Sequence, residues 1–207
     1  MGQRSQIYIR YNNKTGVQLI ARYFGWNYGE RMVSRARGII EWLDSRKQWF
    51  DYLFDSVSNV KELERICDVN FDMRDVMISS DILQEIRDEF SEEAEKDGAN
   101  KWIFGQDNND GQLLIDVCSG EIKYAFIPYF DELNKVMDAD AYMKYNVGSN
   151  WKTKNWQTPN EPDDQDAKEY TIKNIEYISK AAKLMTSDEV KEFVGYDYSF
   201  AVFGYPF

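Results

Sequence analysis

The sequence predicts an α+β fold, an antiparallel sheet of about five strands packed with several helices. Two patterns predict it: apolar residues alternate near the start and middle of the chain, and recur every three or four residues elsewhere. With 43% hydrophobic and 15% aromatic residues over 207 positions, the chain can bury a full core. This length suits one domain, with residues 48–100 as a helical insertion.

Residues 6–11 alternate, with Ile7, Ile9 and Tyr11 on one face and Tyr8 and Arg10 on the other. A turn cluster, Asn12-Asn13-Lys14-Thr15-Gly16, separates them from a second alternating run at 17–24, so the opening reads as a β-hairpin. Asn27 and Glu30 have capping-box spacing and predict a helix running to about Lys47, with Met32, Val33, Ala36, Ile39, Ile40 and Leu43 as its apolar stripe. Arg31 and Arg35, one turn apart, are then expected to share a face. Residues 48–96 read as short helices, one capped by Asn59 with Glu62 and another starting at Ser80. Residues 102–104, 112–117 and 121–127 read as three more strands, ended by Pro128. A helix is expected over 131–145, a long loop over 146–166, and a helix over 167–185. Thr186 with Glu189 caps a short helix, and residues 196–203 add a final strand.

Composition excludes more than it includes. The chain has no histidine, which removes Ser-His-Asp and Cys-His nucleophiles, imidazole acid–base chemistry and His-ligated zinc. Two cysteines, Cys67 and Cys118, make no disulfide framework and fit a reducing cytoplasm, where burial as small apolar side chains is expected rather than a bridge. No apolar run reaches the roughly 18 residues of a membrane span, and the first residues lack a signal peptide's apolar stretch. Gly2 makes no myristoylation signal, because the hydroxyl falls one residue early at Ser5. No cofactor is expected.

Net charge is −11, unevenly spread: residues 1–50 hold nine Lys/Arg against three Asp/Glu, and residues 51–100 hold five against fifteen. Such asymmetry bears on partners. Arg4, Arg10, Arg22, Arg31 and Arg35, with Arg37 nearby, form the one basic cluster. Guanidinium forks match phosphate oxygens, and Tyr8, Tyr23, Trp26 and Tyr28 interleave as a stacking surface for single-stranded RNA would require. Tyr28 and these five arginines are the candidate nucleic-acid contacts. The competing reading pairs the arginines with the acidic segment, inside the protein. Glu92, Glu93 and Glu95 are the candidate partner-binding residues, because a row of carboxylates can imitate phosphates toward a basic groove. The competing reading there is a solvated helical face. The segment 106–117 approaches an EF-hand loop through Asn108, Asp110 and Gly111, but Gln106 and Val117 stand at its first and twelfth positions, so a hairpin turn is favoured. Magnesium held by Asp107, Asp110 and Asp116 is the alternative.

Three stretches carry a resemblance: Gly2-Gln3-Arg4-Ser5-Gln6-Ile7, Tyr23-Phe24-Gly25-Trp26-Asn27-Tyr28-Gly29-Glu30, and Asn109-Asp110-Gly111-Gln112-Leu113-Leu114-Ile115-Asp116-Val117. Over about residues 2–45 and 102–127 the chain resembles a loose group of small α+β proteins carried by phages, plasmids and integrative elements, most without assigned activity. The resemblance implies an anti-defence role in the host cytoplasm, most concretely an anti-CRISPR protein that inhibits an RNA-guided Cas nuclease by binding the effector or its guide RNA. It implies no catalytic residue. The alternatives are a metal-dependent nuclease or phosphate-directed enzyme using the Asp carboxylates, and a structural protein without nucleic-acid contact.

Overall fold

The computed structural model describes residues 3–68, 78–153 and 165–204. The opening hairpin forms as expected, β1 (Arg4–Asn13) and β2 (Gly16–Gly25), closed by the turn at Lys14 and Thr15. Helix α1 (Glu30–Asp44) follows, then a single 3-10 turn (Lys47–Trp49) and the helices α2 (Phe50–Leu53) and α3 (Val57–Cys67). The chain continues through β3 (Ile78–Asp81), α4 (Ile82–Glu89), α5 (Ser91–Asp97) and α6 (Ala99–Phe104). Next come β4 (Gln112–Asp116), β5 (Lys123–Ile127), α7 (Ala139–Val147) and α8 (Gln165–Ala181). It closes with β6 (Lys183–Leu184), α9 (Ser187–Gly195) and α10 (Ser199–Phe203).

The α+β class stands, but the sheet is six-stranded and mixed, in the order β3-β2-β1-β4-β5-β6. The two hairpins β1-β2 and β4-β5 join through a parallel seam between β1 and β4, and β6 is parallel to β5. Alternation along one strand says nothing of its neighbour's direction, so an antiparallel meander was the local reading. Both sheet faces are covered. Ile7, Ile9, Leu113 and Ile115 pack under α1, α3, α7 and α8. Tyr8, Leu114 and Ala125 pack under α4, α6, α9 and α10.

Four further expectations are corrected. Residues 102–104 belong to α6, since Ala99 and Ile103, four apart, are both buried on one side. Residues 196–203 end in α10, not a strand, because Tyr198 and Val202 are buried at the same helical spacing and Asn100 ties Val194 O, Tyr196 O and Tyr198 N to α6. The helix expected at 131–145 begins only at Ala139, where Asp138 accepts from Ala141 N at 2.7 Å. Before it, Met137 bridges to Phe126. Ser80 lies in β3, and Asp81 caps α4 by accepting from Gln84 N.

Caps decide the remaining boundaries. Asn27 does not cap α1: the N-cap position is Gly29, whose φ of 54° suits a residue without Cβ. Asn59 lies inside α3 and donates to Leu53 O, leaving Ser56 as the preceding residue. The helix predicted to reach 185 stops at Ala181 because β6 then pairs with β5. Of the long loop expected at 146–166, residues 154–164 lie outside the described residues.

The capping box at Thr186 and Glu189 forms as read. Glu189 N donates to Thr186 Oγ1 at 3.2 Å, and Thr186 N donates to Glu189 Oε2 at 2.8 Å. Lys123 Nζ reaches Glu189 Oε1 at 2.8 Å and, with the Thr186 backbone N–H, holds the carboxyl down at about 2 from the usual 4.5. A depressed folded-state value means that this carboxylate stabilises the fold fully above pH 4.5 and loses that contribution as pH falls toward 2. Glu189→Gln is therefore expected to flatten this part of the stability curve, and Thr186→Ala to cost about 1 kcal/mol, both read by urea unfolding across the pH range.

Candidate acidic and aromatic docking face

The structure places most of the candidate RNA-contacting arginines against internal partners. Arg10 and Asp116 are opposite one another across the β1-β4 seam, both largely buried, with guanidinium Nη2 at 2.5 Å from Asp116 Oδ2. The same guanidinium lies over Phe193 and 3.4 Å from Glu192. Arg22 makes a two-pronged pair with Asp68 at 3.1 and 2.7 Å, fixing the end of α3 to β2. Arg4 pairs with Asp107, and its backbone N–H donates to Asp110 Oδ2 at 2.6 Å and to Asn109 Oδ1 at 2.8 Å.

Arg31 and Arg35 do not share an exposed face. Arg35 is 1% exposed, lies over Phe24, and donates to Asn27 Oδ1 at 3.0 Å and to Cys67 O at 2.5 Å. Arg31 is half-buried and donates to Trp26 O at 3.0 Å. The aromatics do not assemble into a stacking platform either. Tyr8 is buried, Tyr23 and Tyr28 are half-buried, and only Trp26 is exposed, at 49%. Asn27 is the hub of this corner instead of a cap: its amide donates to Ser5 Oγ at 3.1 Å while its carbonyl accepts from Arg35.

The three aspartates of the magnesium alternative are apart and engaged. Asp107 pairs with Arg4, Asp110 accepts from the Arg4 backbone, and Asp116 pairs with Arg10. Among the described residues no group of three or more carboxylate or thiol side chains could hold a metal ion. The segment 105–111 is a helix-to-strand connection, not a hairpin turn. Cys67 is buried and Cys118 partly so, both are free thiols, and burial pushes each up to about 12.

The acidic helices are exposed. Glu89, Glu92, Glu93 and Glu95 face solvent, and no hydrogen bond or ion pair joins their carboxylates to another described residue. The α5 helix is anchored from beneath by Ala94 alone, so charge covers most of its circumference.

Beside this helix lies a groove of about 470 Å³ between α4-α5, α6 and the turn after β5. Phe90 stacks on Trp102 with centroids 5.0 Å apart and an interplanar angle of 23°, and Tyr129 and Phe130 face in from the other element at 4.9 Å from each other. Glu85, Asp97 and Asp107 supply carboxylates, and Lys101, tied to Asp97 at 2.9 Å, supplies the groove's amine. The Lys101 contact holds the Asp97 carboxyl below its usual range.

The groove's floor is the C-terminus of α6, whose last carbonyls would otherwise be buried unpaired. Each has a side-chain donor: Gln106 Nε2 to Trp102 O at 2.7 Å, Tyr8 to Ile103 O at 2.8 Å, Gln112 Nε2 to Phe104 O at 2.9 Å, and Tyr129 to Gly105 O at 3.3 Å. A Cβ at Gly105 would collide with the Lys101 carbonyl oxygen, so only glycine allows this tight exit. Phe90, Trp102, Tyr129 and Phe130 were not among the sequence candidates. They share no period, and the only local hint was an aromatic pair placed directly after Pro128.

Compared with known proteins, the chain matches no family model, no curated protein and no solved structure. No described helix is long and apolar enough to cross a membrane.

The contrast between the two arginines is measurable. Arg35→Ala would strand the Cys67 carbonyl and the Asn27 amide in the core and is expected to cost about 3 kcal/mol or more. Arg31→Ala is expected to cost under about 1 kcal/mol. Asn27→Ala should cost about 1–3 kcal/mol through the same buried contacts rather than through a lost cap. Thermal and urea unfolding of the three variants checks this order.

Proposed function

We propose that the protein acts by stoichiometric binding, presenting the carboxylates of α4 and α5 to a basic, nucleic-acid-binding groove of a protein partner. The resemblance to mobile-element proteins makes an RNA-guided nuclease the partner class, and the activity that of an anti-CRISPR inhibitor.

One observation carries this reading. Glu89, Glu92, Glu93 and Glu95 are exposed on consecutive short helices and paired with no described residue. Carboxylates in a row compete with phosphates for the same Lys and Arg groups, and association driven this way is fast and salt-sensitive. The guide-RNA variant of the idea has less support, because Arg4, Arg10, Arg22 and Arg35 already spend their guanidinium groups on internal partners. Catalysis by the aspartates has less support for the same reason.

The test is inhibition of an RNA-guided nuclease titrated with this protein at several salt concentrations. Inhibition should saturate at a fixed molar ratio, need no added metal beyond the nuclease's own, and weaken steeply with salt through screening. Changing Glu92, Glu93 and Glu95 together to Gln should weaken binding about tenfold or more while leaving the melting temperature within a few degrees, because exposed charges contribute little to folding. Salt-independent inhibition untouched by that triple change would refute the acidic-face reading. Cleavage of guide RNA that depends on Asp107 or Asp110 would replace it with an enzyme.

A further inference from the structure

We propose that the aromatic groove beside the acidic helices receives an arginine side chain of the protein partner, so that recognition combines a diffuse acidic field with one specific socket. The proposal rests on the acidic face being the partner surface and adds a contact that charge alone would not create.

The groove combines ring faces with carboxylates, the two surfaces a guanidinium binds best. Phe90 and Trp102 form a stacked pair at 5.0 Å, Phe90 remains 38% exposed despite its ring partner, and Tyr129 and Phe130 supply further ring surface. Ring faces attract a cation, and the planar, weakly hydrated guanidinium stacks on them better than an ammonium does. Glu85, on the wall formed by α4, makes no ion pair with any described residue. Asp107 is exposed and engaged by Arg4 at Oδ2 only. Both carboxylates line the groove, so the forked guanidinium donors have acceptors there.

Charge complementarity selects the occupant. Lys101, the one cation among the described lining residues, is held by Asp97 at 2.9 Å, so it does not neutralise Glu85. A neutral apolar ligand would cover the rings but desolvate the Glu85 carboxylate without compensation. An anion would meet the Glu85 carboxylate, which no described cation pairs. The described residues show the chemistry four times: Arg37 lies 3.6 Å from the Tyr177 ring centroid, Arg46 4.4 Å from Trp42, Arg35 4.8 Å from Phe24 and Arg10 5.0 Å from Phe193. The volume, about 470 Å³, is within the range of small-ligand sites and admits an arginine with part of its flanking backbone.

The experiment is an NMR titration of the full-length, nitrogen-15-labelled protein with three capped pentapeptides, Gly-Gly-Xaa-Gly-Gly, in which Xaa is arginine, lysine or citrulline. Citrulline keeps arginine's shape and removes its charge. The indole N–H cross-peak of Trp102, assigned by its loss in Trp102→Phe, reports the socket. The arginine peptide should move it saturably, the lysine peptide several-fold more weakly, and the citrulline peptide not at all. Glu85→Gln should weaken the arginine peptide about tenfold, equivalent to about 1.4 kcal/mol, with an unchanged melting curve. The Glu92, Glu93 and Glu95 to Gln triple variant should leave the Trp102 response in place. An unmoved Trp102 cross-peak at millimolar arginine peptide, or a response indifferent to Glu85→Gln, overturns the socket. If the nuclease inhibition still weakens with salt and with the triple change, the acidic face stands without it. A saturable, Glu85-dependent response in a protein whose triple variant inhibits normally separates the two the other way, keeping the socket and removing the acidic face.

Discussion

The parallel seam between β1 and β4 is the constraint on which the rest of the structure depends. It joins two hairpins into one sheet and leaves their inner strands with helices over both faces. A strand buried on both sides cannot send its polar side chains to water, so each must find a partner inside. The seam answers with matched pairs at its two ends. Gln6 stands opposite Gln112 and bonds to it at 3.2 Å, while Arg10 stands opposite Asp116. Between them Tyr8 sends its hydroxyl to Ile103 O, and so holds α6 onto the sheet.

The groove and the acidic helices beside it follow from that arrangement. Gln6, Tyr8 and Gln112 donate to the backbone of α6 and the loop after it, with Gln6 Nε2 reaching Asp107 O at 2.9 Å. This fixes Trp102 and Asp107 relative to the sheet, and with them the α6 side of the groove. The Arg4 contacts with Asp107, Asn109 and Asp110 close the same corner. Charge is sorted in the process: Arg10 and Arg22 are drawn inward to carboxylates and Arg35 to amide and backbone oxygens, while Glu89, Glu92, Glu93 and Glu95 are left outside.

What was legible in the sequence was local. The hairpin, the α1 stripe through Met32, Val33, Ala36, Ile39, Ile40 and Leu43, and the Thr186–Glu189 box depend on residues within a few positions of one another. The acidic exposure of Glu92, Glu93 and Glu95 was legible as well, since such a charge density cannot be buried. Short apolar runs were not. Trp102-Ile103-Phe104 and the stretch around Tyr198 fit either period, and partners far along the chain chose helix in both cases. Asn27 had the right spacing for a cap, but Arg35 and Ser5 claimed its amide first.

The sequence by itself determined the α+β class, the absence of histidine chemistry and the segregation of positive charge at the start from negative charge in the middle. Composition and short-range periodicity are properties of the chain before it folds. Tertiary structure alone decided the parallel direction of the seam, the inward fate of Arg10, Arg22 and Arg35, and the meeting of Phe90, Trp102, Tyr129 and Phe130 around one groove. Strand direction and side-chain partnership join residues that in places are more than a hundred positions apart, and no local propensity encodes which of two equally amphipathic pairings buries more surface.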